Sequence, residues 1–306
     1  MAPPEIPARA LPNDLPAADL LIRPSRSGEL SIRPDRAGWR YLSFDVRTVP
    51  RDGLRLDAVD GEETCLVVQA GRGVSIADDA GGQWSLPGRE SVFDDLPSAL
   101  WLPDGRSLTV EVQTAPRSGA AAVVIARAPR SGREGTASDP IQIVPGEVAV
   151  ETRGAGNATR QINHIIAPEF PAHRLLVVEV LTPAGNWSSY PPHKHEQDRL
   201  PVENDLEEVY AYRFEAPEAF GVQRLYSRTG DLDETWTVRD LDVLLVPRGY
   251  HPFCAAHGYH GYYLNALAAE KRSMAAEDDP DLAWTRDAWP GMTRDPRVPI
   301  TGKETA

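Results

Sequence analysis

Cysteine is scarce in this sequence: Cys65 and Cys254 are the two in 306 residues. They lie far apart, which excludes a disulfide-stapled scaffold and reads as free thiols. Positive charge is also in short supply. There are 32 Lys and Arg against 45 Asp and Glu, a net charge of −13, and no long basic run. Nucleic acids and anionic membranes need a positive face, so neither is an expected partner. Long hydrophobic runs are missing too. The longest apolar stretches, such as LLVVEVL at 175–181, have the length of strands and cannot span a bilayer. The opening MAPPEIPARALPND has no continuous apolar core and does not read as a secretory signal. A cytoplasmic protein is the resulting expectation. No long segment carries a clear helical period.

What the chain does have is punctuation. Its 28 prolines and 24 glycines separate short β-rich runs. Examples are TCLVVQAG (64–71), SLTVEVQT (107–114), AAVVIAR (121–127), RLLVVEVLT (174–182), EEVYAYRF (207–214), VQRLYS (222–227), DVLLVP (242–247) and GYYLNALA (261–268). Strands this short, set off by turn signals, predict sandwiches or barrels. A short helix is expected in DDPDLAWTRDAWPGM, followed by an extended tail.

The runs also repeat. SVFDDLPSALWLPDGRS (91–107) matches TWTVRDLDVLLVPRGYH (235–251) in pattern, with Pro103 over Pro247, Gly105 over Gly249 and Ser107 over His251. Upstream, GEETCLVVQAG occupies the place of LEEVYAYRF. The chain therefore divides into an N-terminal β unit over 1–160, a second unit over 161–275 and a tail over 276–306. Only the second unit carries the histidine pattern described next.

There are seven histidines, and two stand one residue apart in NWSSYPPHKHEQDRL (186–200). In an extended segment His193 and His195 point to one side and Lys194 to the other. The strand EEVYAYRF follows a polar loop and is expected to form a hairpin with this segment. On it Glu208, Tyr210 and Tyr212 share a face. VPRGYHPF then delivers His251 from behind a Pro-x-Gly turn. Three nitrogens and one carboxylate suit one divalent metal ion, Zn, Mn, Fe or Ni, with positions left for substrate or water. His164, His173, His257 and His260 read as surface or structural, and Asn265 is a polar interruption in an apolar strand.

This arrangement resembles the cupins: an HxH, a Glu on the next strand and a later His after Pro-x-Gly. Two departures, the longer loop from His195 to Glu208 and the shortened PRGYH, match one branch. GNWSSYPPHKH (185–195), EEVYAYR (207–213), QRLY (223–226), VPRGYHP (246–252) and YYLNALA (262–268) are similar to the 5-deoxy-glucuronate isomerases of myo-inositol catabolism. RQIN near 160 and AWTRDAWPGMTRDPR in the tail extend the similarity. The resemblance implies an all-β bicupin, with two jelly-roll-like β-barrel domains, the first lacking metal ligands, and a short C-terminal extension. It implies an aldose–ketose isomerisation of a small sugar acid, 5-deoxy-D-glucuronate, to 5-dehydro-2-deoxy-D-gluconate. A 4-deoxy-5-ketohexuronate isomerase shares the site with shorter connections, and a cupin metal-dependent dioxygenase uses a similar ligand set.

The isomerisation needs a proton carrier, and Tyr190, Tyr212 and Tyr250 lie near the motifs. The substrate carboxylate calls for a planar cationic fork. Arg224 beside Gln223, and Arg160 in RQIN, are the candidates, with Arg213 and Arg248 behind them. Asn186, with Ser188 and Tyr190, is placed at the pocket mouth. Exposed strand edges are compatible with a homodimer.

Overall fold

Two strands set the framework because they are apolar on both faces. Leu175–Thr182 and Gly261–Ala268 are buried along their whole length, so they must lie in mid-sheet with both sides covered. The computed structural model describes residues 19–24, 28–117 and 119–305. The opening MAPPEIPARALPND, and with it the start of the expected first unit, lies outside the described residues.

Almost everything regular is β. One main sheet runs in the order 141–143, 99–102, 62–78, 121–129, 43–49 and 30–32. The other runs 21–22, 243–246, 207–214, 261–268, 175–182, 160–166 and 149–153. Smaller sheets, 187–188 with 253–255, 220–226 and 233–239 among them, close the second unit. The expected short helix is a 3-10 segment, Ala283–Gly291. Among the described residues no helix is long and apolar enough to cross a membrane.

Six strands of the two sheet orders correspond, the second sheet adding Ala149–Arg153 at its edge, and the registers agree. Thr64 pairs with Leu102 and Arg127 in one sheet, as Glu208 pairs with Val246 and Leu267 in the other. The repeat in the sequence is thus a repeat of structure. The first unit also lends a strand to the second sheet. Leu21–Ile22 pairs with Val243–Val246 of the second sheet, and Ile141–Ile143 pairs with Ala99–Leu102 of the first.

A pair of buried carboxylates fastens the units reciprocally. Glu207 accepts the backbone N–H groups of Arg40, Tyr41 and Leu42 at 2.6, 2.9 and 2.9 Å. Its counterpart Glu63 accepts those of His173, Arg174 and Leu175 at 2.9, 2.5 and 2.9 Å. Each thus satisfies three amides leading into a strand of the other unit. Between the sheets, Arg89 forms an ion pair with Glu179 in which both side chains are fully buried. Tyr262 donates to the same carboxylate at 2.6 Å and Gln69 donates to the Tyr262 hydroxyl at 3.1 Å.

The segment expected as an extended tail is tied down. Glu277–Asp278 pairs with His193–Lys194, Gln161 donates to the Thr301 carbonyl and Thr305 N–H to the Val150 carbonyl. The expected hairpin between 193–195 and 207–214 does not form. Glu207–Phe214 is claimed on both sides by Val243–Val246 and Gly261–Ala268, which leaves one backbone bond, Leu206 N–H to the His195 carbonyl at 3.0 Å.

Removing either buried carboxylate would strand three amides in a dry interface. Glu207→Ala and Glu63→Ala should each lower unfolding free energy by about 3–5 kcal/mol, read from the urea midpoint. A loss below about 1 kcal/mol would show that water replaces the carboxylate.

Candidate metal centre

The site is built on the inward face of the second sheet. Period-two alternation sends Glu207 outward to the first unit and Glu208 inward. Two loops then bring imidazoles to Glu208. Gly249, at φ +89°, allows the turn before His251, where a side chain's Cβ would meet the Tyr226 carbonyl oxygen at 2.8 Å. His195 Nε2 lies 2.9 Å from Glu208 Oε2 and His251 Nε2 lies 3.4 Å from the same oxygen. The donor atoms of His195, Glu208 and His251 all fall within 4.8 Å of one another. His193 completes the cluster, its ring centre 4.8 Å from that of His251 and 6.4 Å from that of His195.

The hydrogen bonding says what this cluster lacks. His195 Nδ1 faces the Leu206 carbonyl at 3.2 Å, His251 Nδ1 the Gly249 carbonyl at 2.9 Å and His193 Nδ1 the Pro191 carbonyl at 3.4 Å. A carbonyl only accepts, so each Nδ1 carries the hydrogen and each Nε2 of a neutral ring offers a lone pair. His251 Nε2 is buried with no hydrogen-bond partner. His195 Nε2 would point its lone pair at a carboxylate unless a cation intervened. Burial disfavours charge on His195, yet the adjacent Glu208 carboxylate outweighs it and raises its pKa above the ordinary value. A proton on His195 and a metal ion are alternative answers to the same negative charge. Burial pushes His193 and His251 down to about 3, so both present neutral nitrogens.

The spacing fits an ion as well. Donors bonded at about 2.1 Å stand about 3.0 Å apart in an octahedron and about 3.4 Å apart in a tetrahedron. The observed 2.9 and 3.4 Å separations match these values. Asn265 donates to Glu208 Oε1 at 2.5 Å and so fixes the carboxylate, leaving Oε2 for the imidazoles. The buried His195, Glu208 and His251 group can hold a metal ion.

Beside the cluster opens a cavity with about 460 Å³ of non-atom space, part of it open to solvent. It is lined by His193, Glu208, Tyr210, Tyr263 and Asn265 and, on the neighbouring strands, by Arg153, Arg160, Ile162 and Val180. Arg160 is 3% exposed. Its Nη1 donates to the carbonyls of Ala158 and Tyr190, both at 3.1 Å. Among the described residues Nε and Nη2 have no acceptor and no carboxylate pairs with this guanidinium. Burial, reinforced by Arg153, lowers its pKa to about 10. The other deeply buried arginines each have an acidic partner: Arg89 has Glu179, Arg127 has Asp45 and Arg248 has Asp231.

Several expected site residues stand elsewhere. Arg224 lies on an outward strand position and forms a two-pronged pair with Asp233 at 2.8 and 2.9 Å, so its fork is already occupied. Gln223 is fully buried and braces the loop of His251, donating to the His251 and Pro252 carbonyls at 2.7 and 3.0 Å. Asn186 donates to the Thr159 carbonyl and to Asp295, linking strand and tail. Tyr212 spends its hydroxyl on Gln223 at 2.9 Å. Tyr250 packs against Tyr226 and Tyr190 against Trp187, and neither lines the cavity. Arg213 pairs with Asp240.

The cavity holds other hydroxyls. Ser189 Oγ lies 2.9 Å from the Tyr210 hydroxyl and 3.3 Å from that of Tyr263, which donates to Ser188 at 2.9 Å. Tyr210 shares the inward face of Glu208 and Tyr263 that of Asn265, a signal present in the alternation of both strands. Ser189 carries no such signal, because it sits in a turn at φ +49°. His164, expected as surface or structural, lines the cavity and pairs with Glu151 at 3.0 Å. Lys194 points away from the cluster, to Glu196 and Glu203.

The chain resembles known proteins over most of its length. The model of the KduI/IolB family matches residues 20–285. A 5-deoxy-glucuronate isomerase of Geobacillus kaustophilus is 38% identical over 276 residues, 88% of this chain and 96% of that protein. That of Halalkalibacterium halodurans is 34% identical, covering 87% and 98%. The crystal structure of an IolB-like protein from Salmonella typhimurium superposes with a TM-score of 0.79 at 34% identity, covering 87% of this chain and 98% of that one. Oxalate decarboxylase from Lactobacillus farciminis, at 10% identity and a TM-score of 0.53, shares the bicupin fold alone.

Asn265 supports Glu208 without reaching the imidazoles. Asn265→Ala should weaken divalent-metal affinity about 10–100-fold, measured by competition with a chromogenic chelator. Unchanged affinity would show that Glu208 needs no such brace.

Proposed function

The chain belongs to the KduI/IolB family, and we propose from that premise that it converts 5-deoxy-D-glucuronate to 5-dehydro-2-deoxy-D-gluconate, using one divalent metal ion. The ligands would be His193, His195, Glu208 and His251, a donor set that Zn, Mn, Fe and Ni all accept. One observation carries the reading. A single cavity joins a carboxylate–imidazole cluster that calls for a cation to a buried guanidinium without an acid of its own. A sugar acid complements both, with sugar oxygens for the first and a carboxylate for the second.

The reaction moves hydrogen from C2 to C1, while O2 loses a proton and O1 gains one. A bound divalent ion would supply Lewis acidity to the oxygens at C1 and C2. The protein's own part is to hold the chain of carbons and to manage protons. Arg160 offers the unspent Nε and Nη2 hydrogens as a two-pronged grip on the carboxylate, strong because it is charge-assisted and shielded from water. Tyr210, Ser189 and Tyr263 form a line of hydroxyls in which Ser189 can accept from one tyrosine while donating to the other. Such a line can take the proton from O2 and return one to O1. Burial, with Glu208 close by, raises the Tyr210 pKa well above the usual phenol value, so it stays a neutral donor.

Apart from Arg153 and Arg160, at the end of the first unit, all the lining residues come from the second. The first of the two proposed units, 1–160, therefore serves mainly as scaffold, and the second, with the tail, carries the chemistry. Two free thiols accord with a cytoplasmic enzyme.

The test is to incubate metal-replete protein with 5-deoxy-glucuronate in D₂O and follow C1 and C2 by NMR. Conversion to the ketose is expected, and it should disappear after metal removal. Arg160→Lys keeps the charge but loses the planar fork, so kcat/KM should fall about tenfold or more. No conversion by metal-replete protein would contradict the reading.

A further inference from the structure

The cavity wall beside Arg160 is apolar, and its position has a chemical meaning. Arg160 and Ile162 lie two residues apart on one strand, so their side chains share the inward face. Val180 is the cross-strand partner of Ile162. Both aliphatic side chains line the cavity and are 6% exposed. The polar groups that adjoin this spot are already engaged: Tyr263, cross-strand to Val180, donates to Ser188 at 2.9 Å and lies 3.3 Å from Ser189, and His164, the next inward residue after Ile162, pairs with Glu151 at 3.0 Å. Glu151, cross-strand to Ile162 on its other side, does not line the cavity. Its oxygens are taken by Arg153 at 2.7 and 2.8 Å and by His164 at 3.0 Å.

A hexuronate gripped by its C6 carboxylate at Arg160 must lay C5, the next carbon, against the residues adjoining Arg160. We propose that Ile162 and Val180 form the C5 subsite and select acids with a methylene at C5 over those with a hydroxyl. The inference rests on the isomerase reading for its substrate and goes beyond it in assigning the selecting residues. A C5 hydroxyl placed there meets aliphatic carbon, with the neighbouring polar groups already hydrogen-bonded, which is costly. An apolar wall rejects an added hydroxyl by about 10²-fold at most, because the ligand can shift or keep a water.

The experiment compares the borohydride-reduced, open-chain acids of 5-deoxy-glucuronate and glucuronate, which have no aldehyde to cyclise or turn over, by calorimetry on the metal-replete protein and on Val180→Thr and Ile162→Thr. A ratio of two dissociation constants on one protein cancels any general loss of folded protein. The expected ratio favours the deoxy acid by about 10–100-fold in the wild type. Threonine at either position supplies the missing hydrogen-bond partner and should cut that ratio about fivefold or more. Either variant suffices if the other fails to fold. A wild-type ratio near one, or a ratio unchanged in both variants, overturns the assignment. Turnover of 5-deoxy-glucuronate, followed in parallel, reports separately on the isomerase reading. Preference without turnover keeps the subsite and sinks the isomerase, and turnover without preference does the reverse.

Discussion

A carboxylate taken out of water must be answered by donors or by positive charge, and the chain does both at adjacent positions. Glu207 and Glu208 follow one another on a strand buried along nearly its whole length. Alternation sends them to opposite faces. Glu207 meets three backbone amides of the other unit and becomes part of the architecture. Glu208 meets one amide side chain and the lone-pair sides of imidazoles, which leaves a demand for a cation. A charge that the fold satisfies makes an interface, and one it leaves open makes a site.

The first unit shows the same device with the second half removed. Glu63 repeats Glu207, caps the equivalent amides and also accepts the Trp101 indole N–H at 2.8 Å. In the place of Glu208 stands Thr64, and Ser107 is aligned with His251. The architectural carboxylate is kept where the ligand is not. The strand lent at 21–22 ties the first unit to the second sheet, and the tail pairing at 277–278 holds the loop that carries His193 and His195.

Much of this was legible from residue order alone. Period-two alternation placed Glu208 and Tyr210 inward, and the Pro-x-Gly pattern announced the turn that delivers His251. Arg160 was visible as an arginine in a strand motif. Its distinguishing feature was not, since the absence of an acidic partner depends on what the whole fold brings near. Arg224 and Arg160 look alike in sequence, and only packing shows that Asp233 has filled one fork. Nor does the sequence show that the Tyr212 hydroxyl is spent on Gln223 from another strand. The hairpin expected between the HxH segment and the Glu208 strand failed because two longer partners compete for that strand, a contest that no local pattern records. Ser189 was invisible because turn residues follow no periodicity.

The central claim is that one cavity holds a cation at the imidazoles and an acid at Arg160. The measurement that tests it most directly is a crystal structure of the metal-loaded protein with 5-deoxy-glucuronate, with anomalous scattering to locate the ion. The account predicts the ion among the Nε2 atoms of His193, His195 and His251 and Glu208 Oε2, the sugar's C1–C2 end beside it and the carboxylate on the Arg160 fork. A carboxylate bound at the ion, with Arg160 facing no part of the ligand, would contradict it.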